Sequence, residues 1–172
     1  MTRPINLNGY AISEEMFEWL QKNLPKGSTI LEFGSGKGTI ELTKHWKVYS
    51  IEENADWLDV AKDSTYIYAP IKPYASFYDG CSQIKKTWTW FDIEPIKKAM
   101  PINYDILIID APTGKGRMGV LEFWDMFNWD VPIIIDDTQR EEENKLANLI
   151  LKKRGGVMTK VDGWEKSFTI IQ

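Results

Sequence analysis

The fold is decided by one stretch of the chain, Ile30-Leu31-Glu32-Phe33-Gly34-Ser35-Gly36-Lys37-Gly38. Thr29 to Phe33 is a short β-rich run, and Thr39 to Trp46 has helical patterning. A glycine cluster at a strand-to-helix junction brings a ligand to the free N–H groups of a helix start. Glycines at alternate positions permit positive φ and leave room where a Cβ would collide with a ligand. Working outward, Lys47 to Ile51 reads as a second strand, closed by Glu52 eighteen residues after Gly34. A carboxylate there accepts hydrogen bonds from both hydroxyls of a ribose. Loop and acid together predict a nucleoside site rather than a glycine turn beside a solvated glutamate.

The flanking sequence alternates between the two periodicities. Ser13 to Leu24 is an amphipathic helix with Met16, Phe17, Leu20 and Leu24 on one side, capped by Ser13. A helix is expected from about Asn54 to Lys62 and a third strand at Tyr66 to Ala69. Residues 71–98 are irregular, interrupted by Pro73, Gly80 and Pro95. Tyr104 to Asp110 and Val131 to Ile135 are near-continuous apolar runs of the kind buried on both faces. Arg117 to Phe127 patterns as a helix between them. Thr138-x-x-Glu141 has the form of a capping box opening another, which Gly155 stops. Val157 to Val161, the Asp162-Gly163 turn and Lys166 to Ile171 make a terminal hairpin. Alternating strands and helices predict a mostly parallel sheet with right-handed crossovers. With no repeat or linker, residues 1–172 are expected to form one domain, with the N-terminal helix at about 13–24 and an irregular insertion at about 71–98.

Composition narrows the class. The single cysteine, Cys81, excludes an internal disulfide, reads as a small hydrophobe and fits a cytoplasmic chain. No apolar run is long enough to cross a bilayer, and Met1 to Tyr10 lacks the apolar segment of a signal peptide. The net charge of −4 argues against a nucleic-acid partner. Oligomeric state is not legible. His45, the only histidine, reads as structural.

The glycine spacing sorts the nucleosides. A dinucleotide fingerprint is G-x-G-x-x-G; here the third glycine comes one residue early and Thr39 stands in its place. That disfavours an NAD(P)-dependent reductase, the alternative enzyme reading. No glycine lies five residues before Gly36-Lys37, so the loop is not a P-loop. Glu32-x-Gly34-x-Gly36-x-Gly38 resembles motif I of the class I S-adenosylmethionine-dependent methyltransferases, and Ser50-Ile51-Glu52-Glu53-Asn54 resembles their ribose motif. The resemblance covers about residues 10–172 and implies an α/β, Rossmann-like sandwich with strand order 3-2-1-4-5-7-6 and an antiparallel last strand. It implies that Glu32, Gly34, Ser35, Gly36 and Gly38 form the cofactor loop, that Glu52 takes the ribose, and that Ala69 and Pro70 lie beside the adenine. A non-catalytic S-adenosylmethionine-binding module is the remaining alternative.

Three acids end the fourth and fifth strands: Asp110, Asp136 and Asp137. In open α/β sheets the reactive end of a ligand lies beyond the carboxyl ends of the strands. Oxygen-only ligands suit Mg²⁺ or another hard divalent cation, which would acidify an acceptor hydroxyl. The pattern resembles small-molecule and sugar O-methyltransferases. Asp110-Ala-Pro-Thr-Gly-Lys-Gly-Arg117-Met118 is similar to a segment of plant glucuronoxylan methyltransferases. The expectation is methyl transfer to a small hydroxylated acceptor, with Asp110 and Lys115 as catalytic groups. The Asp/Asn-Pro-Pro-Tyr signature of amino-directed methyltransferases is not met, because Ala111 and Thr113 replace its second and fourth residues.

Overall fold

The computed structural model describes residues 12–75, 87–112 and 114–172. The strands are β1 (Thr29–Phe33), β2 (Lys47–Glu52), β3 (Thr65–Tyr68), β4 (Ile71–Ala75), β5 (Thr87–Phe91), β6 (Ile106–Ile109), β7 (Ile133–Ile135), β8 (Met158–Asp162) and β9 (Ser167–Ile171). The helices are α1 (Glu14–Asn23), α2 (Lys37–Thr43), α3 (Ile93–Ala99), α4 (Gly119–Glu122) and α5 (Glu141–Arg154).

Seven strands form one sheet in the order β3-β2-β1-β6-β7-β9-β8. The first five run parallel, while β9 is antiparallel to both β7 and β8. Setting the separate β4–β5 hairpin aside, this is the expected order 3-2-1-4-5-7-6. Alternation of side chains explains the layers. Leu31, Phe33, Leu107, Ile109, Ile133 and Ile135 join one core with Ile96 of α3 and Leu146 and Ile150 of α5. Ile30, Ile106, Ile108, Ile134 and Ile170 join the other with Met16 and Leu20 of α1 and Leu42 of α2. Strands buried on both faces are what the apolar runs required. Ser13 caps α1 as expected, accepting from Met16 N at 3.2 Å. Gly155 ends α5 with φ +81°.

Four expectations are corrected. The helix at Asn54–Lys62 is a single 3-10 turn, Ala55–Trp57; Leu58 is extended and Asp59 takes a left-handed φ of +68°, which no helix continues through. The helix at Arg117–Phe127 is broken into a 3-10 turn (Gly114–Met118), the short α4 and a second 3-10 turn (Trp124–Met126). Thr138 caps nothing: α5 begins three residues later, and Thr138 accepts from Thr169 Oγ1 on β9 at 3.0 Å. Residues 71–98 are more ordered than they read, with β4 and β5 pairing from Ile71↔Phe91 to Ala75↔Thr87 before α3. Pro73 is tolerated because this two-stranded ribbon consists of edges. Its Trp90 stacks on Phe123 at 5.1 Å and 14°. Gly119 is needed there, since a Cβ would sit 2.3 Å from Trp90 Cγ and 2.5 Å from Trp88 Cζ3. Cys81 and Met1 to Tyr10 lie outside the described residues. No helix among the described residues is long and apolar enough to cross a membrane.

Candidate active site

The carboxyl ends of β1, β2, β6 and β7 open onto a cavity of about 270 Å³. Its walls include Gly34, Ser35, Glu52, Glu53, Trp57, Asp110, Ala111, Arg117, Asp137, Arg140 and Lys166. The loop after β1, the acid after β2 and the aspartates after β6 and β7 thus share one space, as parallel register demands.

Each glycine of the loop has its own task. Gly34 has φ +90°, and a Cβ on it would lie 2.8 Å from Ala111 Cβ, so it needs both the left-handed conformation and the room. Gly36 caps α2 in extended backbone that any residue adopts. Gly38 faces the chain and not a ligand, since its Cβ would meet Ile12 N at 2.8 Å. The expected row of positive-φ glycines is therefore one residue, Gly34.

Glu32 is buried beneath the loop rather than on the cavity wall. Its Oε1 accepts from Thr39 Oγ1 at 2.8 Å and Ser50 Oγ at 2.6 Å, while Thr39 Oγ1 accepts from Gly36 N at 3.0 Å. Burial outweighs these hydrogen bonds and pushes its pKa up to about 8. Ala69 and Pro70 also fall outside the walls. Ala69 is fully buried and donates its N–H to Glu52 O at 2.9 Å.

Glu52 ends β2 on the cavity wall and orders the loop. Its Oε2 accepts from Ser35 N at 2.8 Å and Ser35 Oγ at 2.9 Å, and its Oε1 from Asn54 N at 2.8 Å. Of roughly four lone-pair positions on a carboxylate, these occupy three. Beside it, Glu53 Oε2 is buried without a hydrogen-bond partner among the described residues. Burial and the neighbouring Glu52 raise the Glu53 pKa. Sequence reading singled out Glu52 but gave Glu53 no role.

The three aspartates meet, with oxygens within 4.8 Å of one another. Asp136 is fully buried; Asp137 takes a left-handed φ of +60°. Strain of this kind in a non-glycine residue persists only where surrounding contacts hold it. Asp137 Oδ2 has Arg117 Nη2 at 3.2 Å and Arg140 Nη1 at 2.9 Å. Burial and the charge of Asp136 push Asp110 up to about 7. Lys115 has its backbone in the 3-10 turn beside this cluster, and its side chain is outside the described part.

Sequence reading missed the cations. Arg117 is 2% exposed and clasps the ends of both strands. Its Nε donates to Pro112 O at 3.3 Å, Nη1 to Asp136 O at 2.8 Å, and Nη2 to Asp110 O and, at 3.0 Å, to Asp110 Oδ1. Glu143 of α5, also buried, lies 3.8 Å from Arg117 Nη1. Lys166 Nζ donates to Asp136 Oδ2. Buried charges must be paired, so three acids ending adjacent strands, two of them buried, were a signal that cations would be found. Which cations was hidden, because Arg117 and Lys166 arrive from 7 to 30 residues away.

No protein-family model and no curated protein sequence matches the chain. Solved structures do. An O-methyltransferase from Bacillus cereus in complex with S-adenosylhomocysteine superposes with a TM-score of 0.63 at 16% identity, over 97% of this chain and 85% of that one. A precorrin-6y C5,15-methyltransferase from Geobacter metallireducens gives 0.60 at 11% identity, over 96% and 93%. The O-methyltransferase TomG from Streptomyces achromogenes in complex with S-adenosylmethionine gives 0.58 at 14%, over 94% and 80%. The chain has the Rossmann-like fold of these methyltransferases.

Proposed function

We propose that this chain is an enzyme that moves a methyl group from S-adenosylmethionine to a hydroxyl of a small acceptor. The observation that carries the reading is the meeting of Gly34, Ser35 and Glu52 with Asp110 and Asp137 around one cavity. The fold shared with proteins that bind this cofactor supports it.

The donors and shape fit the cofactor. Glu52 keeps one free lone-pair position for a ribose hydroxyl, Glu53 offers a buried unpartnered oxygen for a second donor, and Trp57 supplies an aromatic wall. Gly34 brings the end of β1 to the cavity wall. Bound there, the cofactor supplies an electrophilic methyl on a sulfonium, which departs as a neutral thioether. The chain's part is alignment of the acceptor oxygen and removal of its proton. Asp110, the most exposed of the three aspartates and held near neutrality, is placed to take that proton. Lys115, in the adjoining turn, is the second candidate for that proton.

A divalent cation between Asp110, Asp136 and Asp137 is the competing reading of the same cluster. Their oxygens lie close enough to share an ion, but Arg117 and Lys166 already touch them. The donor set as it stands does not fit a metal.

Calorimetry with S-adenosylhomocysteine tests the reading. One-to-one binding that NAD does not compete for is the expected result, and binding of NAD alone would return the reductase alternative. Methyl-labelled cofactor and a panel of phenols, sugars and hydroxy acids then tests the acceptor class. Asp110→Asn should cut turnover, and full activity in that variant would remove Asp110 from the chemistry.

A further inference from the structure

β9 runs against its parallel neighbours, so its first residues lie at the edge where theirs end. Ile135↔Thr169 is the last pairing before Asp136, and Gly163 N donates to Lys166 O at 3.0 Å, closing the hairpin turn one residue before Ser167. This register places Lys166 at the carboxyl edge of β7, where its Nζ meets Asp136. Its side chain is 16% exposed and forms part of the cavity wall. Asp110 and Asp137 lie close enough to raise its pKa along with Asp136, against the effect of its own burial.

Counting charges over the cluster, Asp110, Asp136, Asp137 and Glu143 face Arg117, Arg140 and Lys166. Each of the three aspartates therefore has a protein cation in contact. Arg117 is committed to carbonyls and carboxylates on all its nitrogens. Lys166 is different, since an ammonium has three donors and Asp136 takes one.

We propose that Lys166 is the built-in cation of the Asp110–Asp136–Asp137 cluster, standing where a divalent ion would otherwise bind and presenting its remaining N–H groups to an acceptor oxygen. A positive charge at that oxygen favours its deprotonated form, the same sense of effect a metal has there. The acceptor half of the inference rests on the methyl-transfer reading; the cation half does not. Lys166 then acts as a positioning and charge-stabilising residue on the acceptor side of the cavity.

The test is a calorimetric and electron-spin titration with Mn²⁺ at neutral pH, alongside an S-adenosylhomocysteine titration of the wild-type chain. Wild type should take up no Mn²⁺ at sub-millimolar concentrations. Lys166→Met should bind one ion at least about tenfold more tightly, the effect of removing a like charge in contact with the site. Adding Asp136→Asn to Lys166→Met should abolish the gain. Should Lys166→Met not fold, Lys166→Gln carries the same comparison. Tight one-to-one Mn²⁺ binding by wild type would overturn the inference, as would a folded Lys166 variant that gains no ion. Failure of S-adenosylhomocysteine to bind would instead sink the methyl-transfer reading and leave the cation result standing.

Discussion

The hydroxyl of Thr39, in the first turn of α2, donates to Glu32 Oε1 at 2.8 Å. That bond ties the helix start to the strand beneath the glycine loop, and Ser50 of β2 joins from the other side. Glu32 is a hub under the loop, and its burial gives it an unusual acid strength.

A raised folded-state pKa means that the native chain holds a proton the unfolded chain releases. The stabilisation is complete below the ordinary glutamate value near 4.5 and is lost as pH rises through about 8. Across that window one such proton costs up to about 1.4 kcal/mol of stability per pH unit. Glu32→Gln, which keeps an acceptor for Thr39 and Ser50, should flatten the loss. Urea unfolding at pH 5, 6.5 and 8 checks it; an unchanged pH slope would remove Glu32 as its source.

Gly119→Ala should be costly although alanine is small. The new Cβ meets the rings of Trp90 and Trp88, which are locked into the hairpin. Overpacking of this sort costs about 1–3 kcal/mol. A fall in thermal midpoint with altered near-ultraviolet dichroism is the expected signature, and an unperturbed tryptophan spectrum would refute the contact.

Arg117→Met should destabilise the fold by about 3–5 kcal/mol, because it removes the buried cation facing Asp137 and Glu143 and leaves them, among the described residues, only the half-exposed Arg140. Asp137 and Glu143 are the buried acids nearest the loss. Denaturant titration reads it directly. Arg117→Lys should recover little, since an ammonium cannot span the carbonyls of Pro112, Asp110 and Asp136 together.

Glu52→Ala should weaken S-adenosylhomocysteine by about 1.5–3 kcal/mol, or roughly ten- to a hundredfold. Part of the loss comes through Ser35, whose N–H and hydroxyl lose their acceptor. Glu53→Gln in the same titration separates the two acids. Equal affinity for wild type and Glu52→Ala would take Glu52 out of the site.

What could be read in advance follows from range. β6 and β7 were legible because strands buried on both faces read as continuous apolar runs, β1 and β2 because they flank the glycine loop and end in its acid, and Ser13 and Gly155 because caps act within one turn. Strand order came from likeness to a family and not from the residues. The 54–62 and 117–127 segments failed as helices because Asp59 and Phe123 adopt backbone angles that their patterning does not betray. β4 was hidden by Pro73, and Arg117 and Lys166 by partners that only the folded topology supplies. The aspartates were legible individually; their neutralisation was not.

The central position of β1 has a further consequence, for synthesis. Ile30 pairs with Val48 on one side and with Ile106 on the other, 76 positions later. Until the ribosome has released β6, one edge of an almost wholly buried strand stays open to any other extended chain. Loop closures of this span slow folding and prolong that exposure. The nascent first half is therefore the aggregation-prone species, so slower initiation or a holdase chaperone should raise the soluble yield more than any added stability of the finished fold.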